Sequence, residues 1–413
     1  MEDKTVRRRL AGTLLKLERL RQGKGQKEVC YGICVPSYLS KIEHGAVSAD
    51  EEILSKLFSC LGITYTEDPK LSAELGALVD DYFYRQQYNL DTSECYAVLK
   101  RRREDLTYSE FAIDWLLIMS YEEESVLQYL GELKEHMTRR QQAHYKLLCA
   151  WYEADAEQRL CLCSEACEAL NNSWAMLRLC EAYFWKGNYS AIHRMEQRIV
   201  AAAVAEGNTY QLADCFFMQG NAYACLNMEE MMMDYFERGI RLLQNTAWKD
   251  ALANVYYNIG ATCISLKKYE LAMKYLTLAG GQKETRENAE ADISILHKMA
   301  LVKIRTGKQE EAKELLAEMK EQLMRQESSQ ESENPLNADC LKYEEALWEC
   351  EEDFLENPEY LKVLERLIAS IEKELHFGHL YFYRDVIVEA YKRQRKYKAA
   401  LEFEEKISSK MTK

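Results

Sequence analysis

Between Val6 and Leu20 the apolar residues Leu10, Leu14, Leu17 and Leu20 return every three or four positions among charged ones, which predicts one amphipathic helix. Gly23 and Gly25 end it. The periodic runs then shorten. Gln26 to Ile33 predicts a brief helix, and Pro36 to Glu43 a second, because a missing N–H and a preset φ suit proline to the first helical position. Gly45 stops that helix. Ala49 to Cys60, with Ile53, Leu54, Leu57 and Phe58 on one face, predicts a packing helix that closes at Leu61-Gly62-Ile63. Five short helices in about 65 residues, with a tight turn between the second and third, is the layout of a helix-turn-helix domain.

Further along, the pattern repeats itself. Repeat starts fall at Ser173, Ala213, Ala253 and Ile293, each 40 residues after the last and without gaps. The eighth position is always small: Cys180, Gly220, Gly260, Ala300. The fifteenth holds Gly187, Asn227, Lys267 and Gly307, and the twentieth Ile192, Met232, Ala272 and Ala312. Such self-similarity predicts stacked antiparallel helix pairs, a small residue at position eight letting the two helices approach. The pattern resembles the tetratricopeptide repeat, although position four carries Met176, Phe216, Tyr256 or Leu296 where tryptophan is usual. Further hairpins are expected over Leu71 to Leu106, Tyr108 to Met137 and Thr138 to Leu170, and around Glu344 and Tyr381. The polar stretch Glu327 to Asn334 reads as a surface loop.

Composition narrows the choice. Four prolines and seventeen glycines in 413 residues are too few for a turn-rich β fold, a collagen or a Pro-rich disordered chain. No run approaches the roughly 18 apolar residues of a membrane span. Lys16, Glu18 and Arg19 interrupt Leu10 to Leu20, so no secretory segment is visible and the chain is read as cytoplasmic. Its fourteen cysteines are then expected to be reduced, small hydrophobes rather than a disulfide framework. Charge is unevenly spread. The chain holds 54 Lys and Arg and 68 Asp and Glu; residues 1–66 hold 11 and 8 of these, a net of +3 against −17 for the rest. A basic head on an acidic body is the balance of a chain whose head alone meets phosphate. The Arg7-Arg8-Arg9 run beside the motif reads as a phosphate clamp.

The run Gly25 to Gly45 (GQKEVCYGICVPSYLSKIEHG) resembles the Cro/C1-type helix-turn-helix, and its Ser37-Tyr38-Leu39-Ser40-Lys41-Ile42-Glu43 segment is most similar to the version in the RRNPP family of cytoplasmic peptide-pheromone receptors. In that family the same head precedes tetratricopeptide-like repeats. The resemblance implies an all-α chain with an N-terminal five-helix helix-turn-helix domain, residues 1–66, followed by a right-handed superhelical repeat array, residues 67–413. It implies that Pro36 to His44 enters the major groove of a palindromic DNA operator as part of a homodimer. Val35, Pro36, Ser37, Tyr38, Ser40 and Lys41 would lie at bases or phosphates, and Gln26 and Lys27 would hold the DNA backbone. Val35 stands where the family often has serine, so the recognition helix lacks a hydroxyl cap.

A stack of helix pairs presents its inner helices to a concave groove. The exposed inner positions are expected to be Arg178, Glu181, Phe217, Asn221, Asn254, Tyr257, Asn258, His297 and Lys298. Asparagine amides both donate and accept, so Asn221, Asn254 and Asn258 suit the main chain of an extended peptide, and the family resemblance implies a short signalling peptide there. A protein-interaction scaffold is the alternative, and a third reading has the groove blocked by the protein's own helices. No HExxH, GxxxxGK[ST] or GxSxG string is present, and Cys161, Cys163 and Cys167 lack a second pair at metal-site spacing. No enzymatic activity, metal or cofactor is expected.

Overall fold

A computed structural model describes residues 2–65, 67–121, 123, 125–226, 228–281, 289–327, 338–374 and 377–411. Every regular element among the described residues is a helix. The chain divides into two compact units, Met1–Leu179 and Cys180–Lys413.

In the first unit run α1 (Glu2–Arg21), α2 (Gln26–Val29), α3 (Pro36–Glu43), α4 (Glu51–Ser59), α5 (Pro69–Gln87), α6 (Ser93–Arg101), α7 (Arg103–Thr107), α8 (Ala112–Met119), α9 (Ser125–Gly131), α10 (Arg139–Tyr152) and α11 (Ala156–Leu170). The division falls within α12 (Ser173–Lys186). Local chemistry fixes several starts. Asp50 caps α4 by accepting from the Ile53 amide, Asp68 caps α5 ahead of Pro69, and Thr138 with Gln141 forms a reciprocal capping box on α10. Four helices fall within residues 1–66; the fifth, α5, starts at Pro69 and adds Leu75 and Val79 to the core built by Leu14, Leu39, Ile42, Leu57 and Phe58. That core continues through Leu99, Ile113 and Leu130 to Leu148.

The second unit continues with α13 (Tyr189–Glu206), α14 (Thr209–Cys225), α15 (Glu229–Leu243), α16 (Lys249–Ser265), α17 (Tyr269–Gly280), α18 (Ala289–Arg305), α19 (Gln309–Glu327), α20 (Ala338–Glu349), α21 (Pro358–Glu374), α22 (Phe377–Arg393) and α23 (Tyr397–Met411). From α14 onward the helices pack as consecutive pairs. The starts of α14, α16 and α18 are 40 residues apart, as the repeat predicts. Position eight explains itself: a Cβ on Gly260 would stand 2.7 Å from Leu276 Cγ in α17, so only glycine lets this pair close. At position twenty, Ile192, Met232, Ala272 and Ala312 are all fully buried. Position fifteen turns the chain between helices with left-handed backbone at Gly187, Lys267 and Gly307. Asn227, and the polar stretch beyond Glu327, lie outside the described residues.

Candidate functional site

The head presents α3 by burying one side of it. Leu39 and Ile42 are fully buried, while Val35, Pro36, Ser37 and Lys41 are exposed and Tyr38 and Ser40 half-buried. Val35 is the N-cap and offers no side-chain hydrogen bond. Lys27 is exposed on α2. Gln26 is otherwise engaged: its Nε2 donates to Glu43 Oε2 at 2.7 Å, and Glu43 also receives both arms of the Arg19 guanidinium at 2.6 and 2.9 Å. Gln26, expected to hold the DNA backbone, thus has a partner inside the head. The arginine run is corrected too. Arg8 forms a fork on Glu67 at 2.7 and 2.9 Å and Arg7 pairs with Glu110, so two of the three cations are spent on carboxylates of the same unit.

Of the expected groove residues, Arg178 belongs to the first unit, where its charge acts on Tyr121. Glu181, on the same helix, falls in the second unit, and the others lie on its α14, α16 and α18. Asn258 Nδ2 donates to Asn221 Oδ1 at 3.1 Å, joining two consecutive repeats through an amide pair. Asn254, one turn earlier on α16, is exposed, and Tyr257 is half-buried against Ser294 and Asp339. Three expectations of exposure fail. Phe217 is 6% exposed, its ring pressed on Gly239 of α15. His297 and Lys298 are 0% and 4% exposed because α20 and α22 pack over this part of α18.

What covers them is a buried ionic centre that the repeat register did not show. His297 Nε2 meets Glu345 Oε2 at 2.7 Å, and Arg305 grips Glu349 at 2.9 and 3.2 Å. Lys342 donates to Asp339 at 2.7 Å and to Ser294 at 3.2 Å. The Lys298 ammonium lies 3.3 Å from the Phe382 ring centroid and 5.0 Å from that of Tyr383, so it packs on aromatic faces. Burial drives the His297 and Lys298 pKa values well below their ordinary range and raises those of Glu345 and Glu349 against the pull of Arg305. A signal existed in the sequence: Glu345 and Glu349 fall one turn apart on the face of α20 that carries Leu341, where acids need buried cations.

The described residues thus form an all-helical fold with tetratricopeptide-like repeats. Residues 253–279, spanning most of the α16–α17 pair, match the Tetratricopeptide repeat family. No curated protein matches the sequence. The fold is similar to that of a Rap protein complexed with Competence and Sporulation Factor, at 14% identity and a TM-score of 0.61 over 82% of this chain and 98% of that one. It is also similar to the apo form of the quorum sensor NprR from B. thuringiensis (16% identity, TM-score 0.56, 83% of this chain and 99% of that one). Aspartyl phosphate phosphatase F from Bacillus subtilis is alike to a similar degree (12% identity, TM-score 0.54, 84% and 96%). The shared feature is the helical architecture. No described helix is long and apolar enough to cross a membrane.

Proposed function

We propose that the protein is a DNA-binding transcription regulator whose activity is gated by a short signalling peptide held on the inner helices of its repeats. The observation that carries this reading is the outward face of α3, where Val35, Pro36, Ser37 and Lys41 stand exposed on a helix anchored by Leu39, Ile42 and the Arg19–Glu43 pair. A net +3 head on an acidic chain fits contact with phosphate by that head alone. One such head touches few bases, so the reading includes a homodimer on a roughly palindromic operator, in the cytoplasm. Lys27, Lys41, Ser37 and Tyr38 position and read the duplex. The Asn221–Asn258 pair, with Asn254 and Tyr257, receives the peptide main chain. NprR, of like fold, is a quorum sensor, and a Rap protein of like fold was crystallised with Competence and Sporulation Factor. The reading assigns no enzymatic activity and no cofactor.

A second reading, DNA binding with no small ligand because the protein's own helices fill the groove, is favoured by one observation. Phe382 and Tyr383 of α22 already sit against Lys298, where a small ligand was expected.

The test is retention of genomic DNA fragments by the full-length protein, with and without the low-molecular-weight fraction of spent culture medium. The expected result is a palindromic site whose retention shifts with that fraction. Lys41→Glu should abolish retention, and Asn221→Ala with Asn258→Ala should remove the shift while leaving retention intact. A site retained identically in both conditions would transfer the protein to the second reading, and intact retention by Lys41→Glu would displace α3 from the groove.

A further inference from the structure

We infer that the cover over the inner face of α18 is an acid-released latch, shut while His297 is neutral and loosened when that imidazole takes up a proton. On α18 stand His297, Lys298 and Arg305; α20 faces them with Asp339, Lys342, Glu345 and Glu349, and α22 with Phe382 and Tyr383. The phenols of Tyr257 on α16 and Tyr360 on α21 also border the centre, and α19 meets α18 through Leu316 and Met319. Geometry opposes a charged His297. Its Nε2 has Glu345 Oε2 at 2.7 Å, but its Nδ1 is buried with no hydrogen-bond partner. An imidazolium carries a proton on both nitrogens, so its Nδ1–H would be a buried donor with no acceptor, among the cations Lys298, Arg305 and Lys342.

Neutrality fixes the proton count of the closed centre. Arg305 balances Glu349, and Lys342 balances Asp339. His297, Lys298 and Glu345 remain, and a buried group of these three without net charge holds one titratable proton, however it is shared. Burial moves His297 and Lys298 downward and Glu345 upward, the directions that a neutral centre requires. Once loosened and hydrated, Lys298 and Glu345 are both charged and His297 regains its ordinary pKa of 6.5. Opening therefore takes up no proton above that pH and one below it, and the opening constant rises about tenfold from pH 7.5 to 5.5. Release uncovers two cationic side chains on an inner helix. That consequence for a peptide rests on the function proposed above; the latch itself does not.

The experiment measures hydrogen exchange by region on the full-length protein at pH 7.5 and 5.5, corrected for the intrinsic rate at each pH, with neither DNA nor peptide present. Protection of α18, α20 and α22 should fall about tenfold at the lower pH while that of α15 holds. His297→Gln keeps an amide for Glu345 and leaves Lys298 and Glu345 in balance, so its protection should not change with pH. Lys298→Met fills the same space against Phe382 and reverses the sign. Its closed centre still holds one proton, now shared by His297 and Glu345, which opening releases above pH 6.5; protection should rise about tenfold from pH 7.5 to 5.5. Should His297→Gln not fold, the parent and Lys298→Met decide alone. An unchanged parent, an equal loss in α15, a similar fall in a folded His297→Gln, or no rise in Lys298→Met overturns the latch. Because DNA and peptide are absent, failure here is separate from failure of the regulator reading.

Discussion

Glu43→Ala removes the partner of a buried guanidinium. Arg19 is 7% and Glu43 1% exposed, and the carboxylate takes two bonds from Arg19 and one from Gln26, all between 2.6 and 2.9 Å. In the variant Arg19 keeps only the Lys24 carbonyl, at 2.8 Å. A buried charge stripped of its counter-ion costs about 3–5 kcal/mol, whereas replacing both partners by apolar residues of similar volume is often neutral or better. The loss falls on the joint between α1 and α3. Hydrogen exchange on the full chain reads it by region: protection of α1 to α4 should drop by about two to three and a half orders of magnitude, with α14 to α19 unaffected. Arg19→Met combined with Glu43→Leu should recover most of that protection. The reasoning is refuted if Glu43→Ala stays within about threefold of the parent, or if the double variant fares no better than the single one.

Asp114 gives a pH-dependent prediction. Burial pushes its pKa up from 3.8 to about 6, although Gln141 Nε2 donates to it at 2.7 Å. The folded state thus holds this proton more tightly than the unfolded chain, so the group's contribution to stability falls as pH rises from about 4 to 6 and stays lost above that. Asp114→Asn should stabilise the protein by up to about 3 kcal/mol at pH 7.5 and by almost nothing at pH 4, and equal gains in thermal melts at both would defeat the assignment. In the repeats, Gly260→Ala forces a methyl onto Leu276 and should cost about 1–3 kcal/mol in urea unfolding. Gly280→Ala, which meets nothing within 4 Å, should be neutral or slightly stabilising, and a similar loss at both positions would mean that helix approach is not the reason for glycine at position eight.

Much of the architecture was legible because local chemistry marked it. Pro36 and Gly45 bracket α3 to within a residue or two, and the 40-residue period reappears in the starts of α14, α16 and α18. Small residues at position eight forecast the close helix pairs, as Gly260 and Leu276 show. The misreadings share one cause, partners distant in sequence. Arg7 and Arg8 looked free because Glu110 and Glu67 lie far along the chain, and Gln26 looked available because Glu43 belongs to the next helix. His297 and Lys298 occupy inner positions by register, but an inner position is open only where no later repeat folds over it. The acids and aromatics of α20 and α22 supply that cover.

This cover changes what the inner helices can offer a peptide. With His297 neutral and facing Glu345, and Lys298 enclosed by Phe382 and Tyr383, the C-terminal part of the predicted groove is occupied by the protein itself. The accessible polar groups are Asn221, Asn254, Tyr257 and Asn258, on α14 and α16. Asn221 and Asn258 already bond to each other, so gripping a peptide main chain exchanges one hydrogen bond for others, each worth about 1 kcal/mol net. Such an exchange orients a ligand but contributes little affinity. Tight capture must then come from side chains of the peptide that bury apolar area beside Tyr257, or that displace Phe382 from Lys298. Under the proposed function the amide pair would set the direction in which the peptide lies, and Tyr257 and Phe382 would select among its side chains.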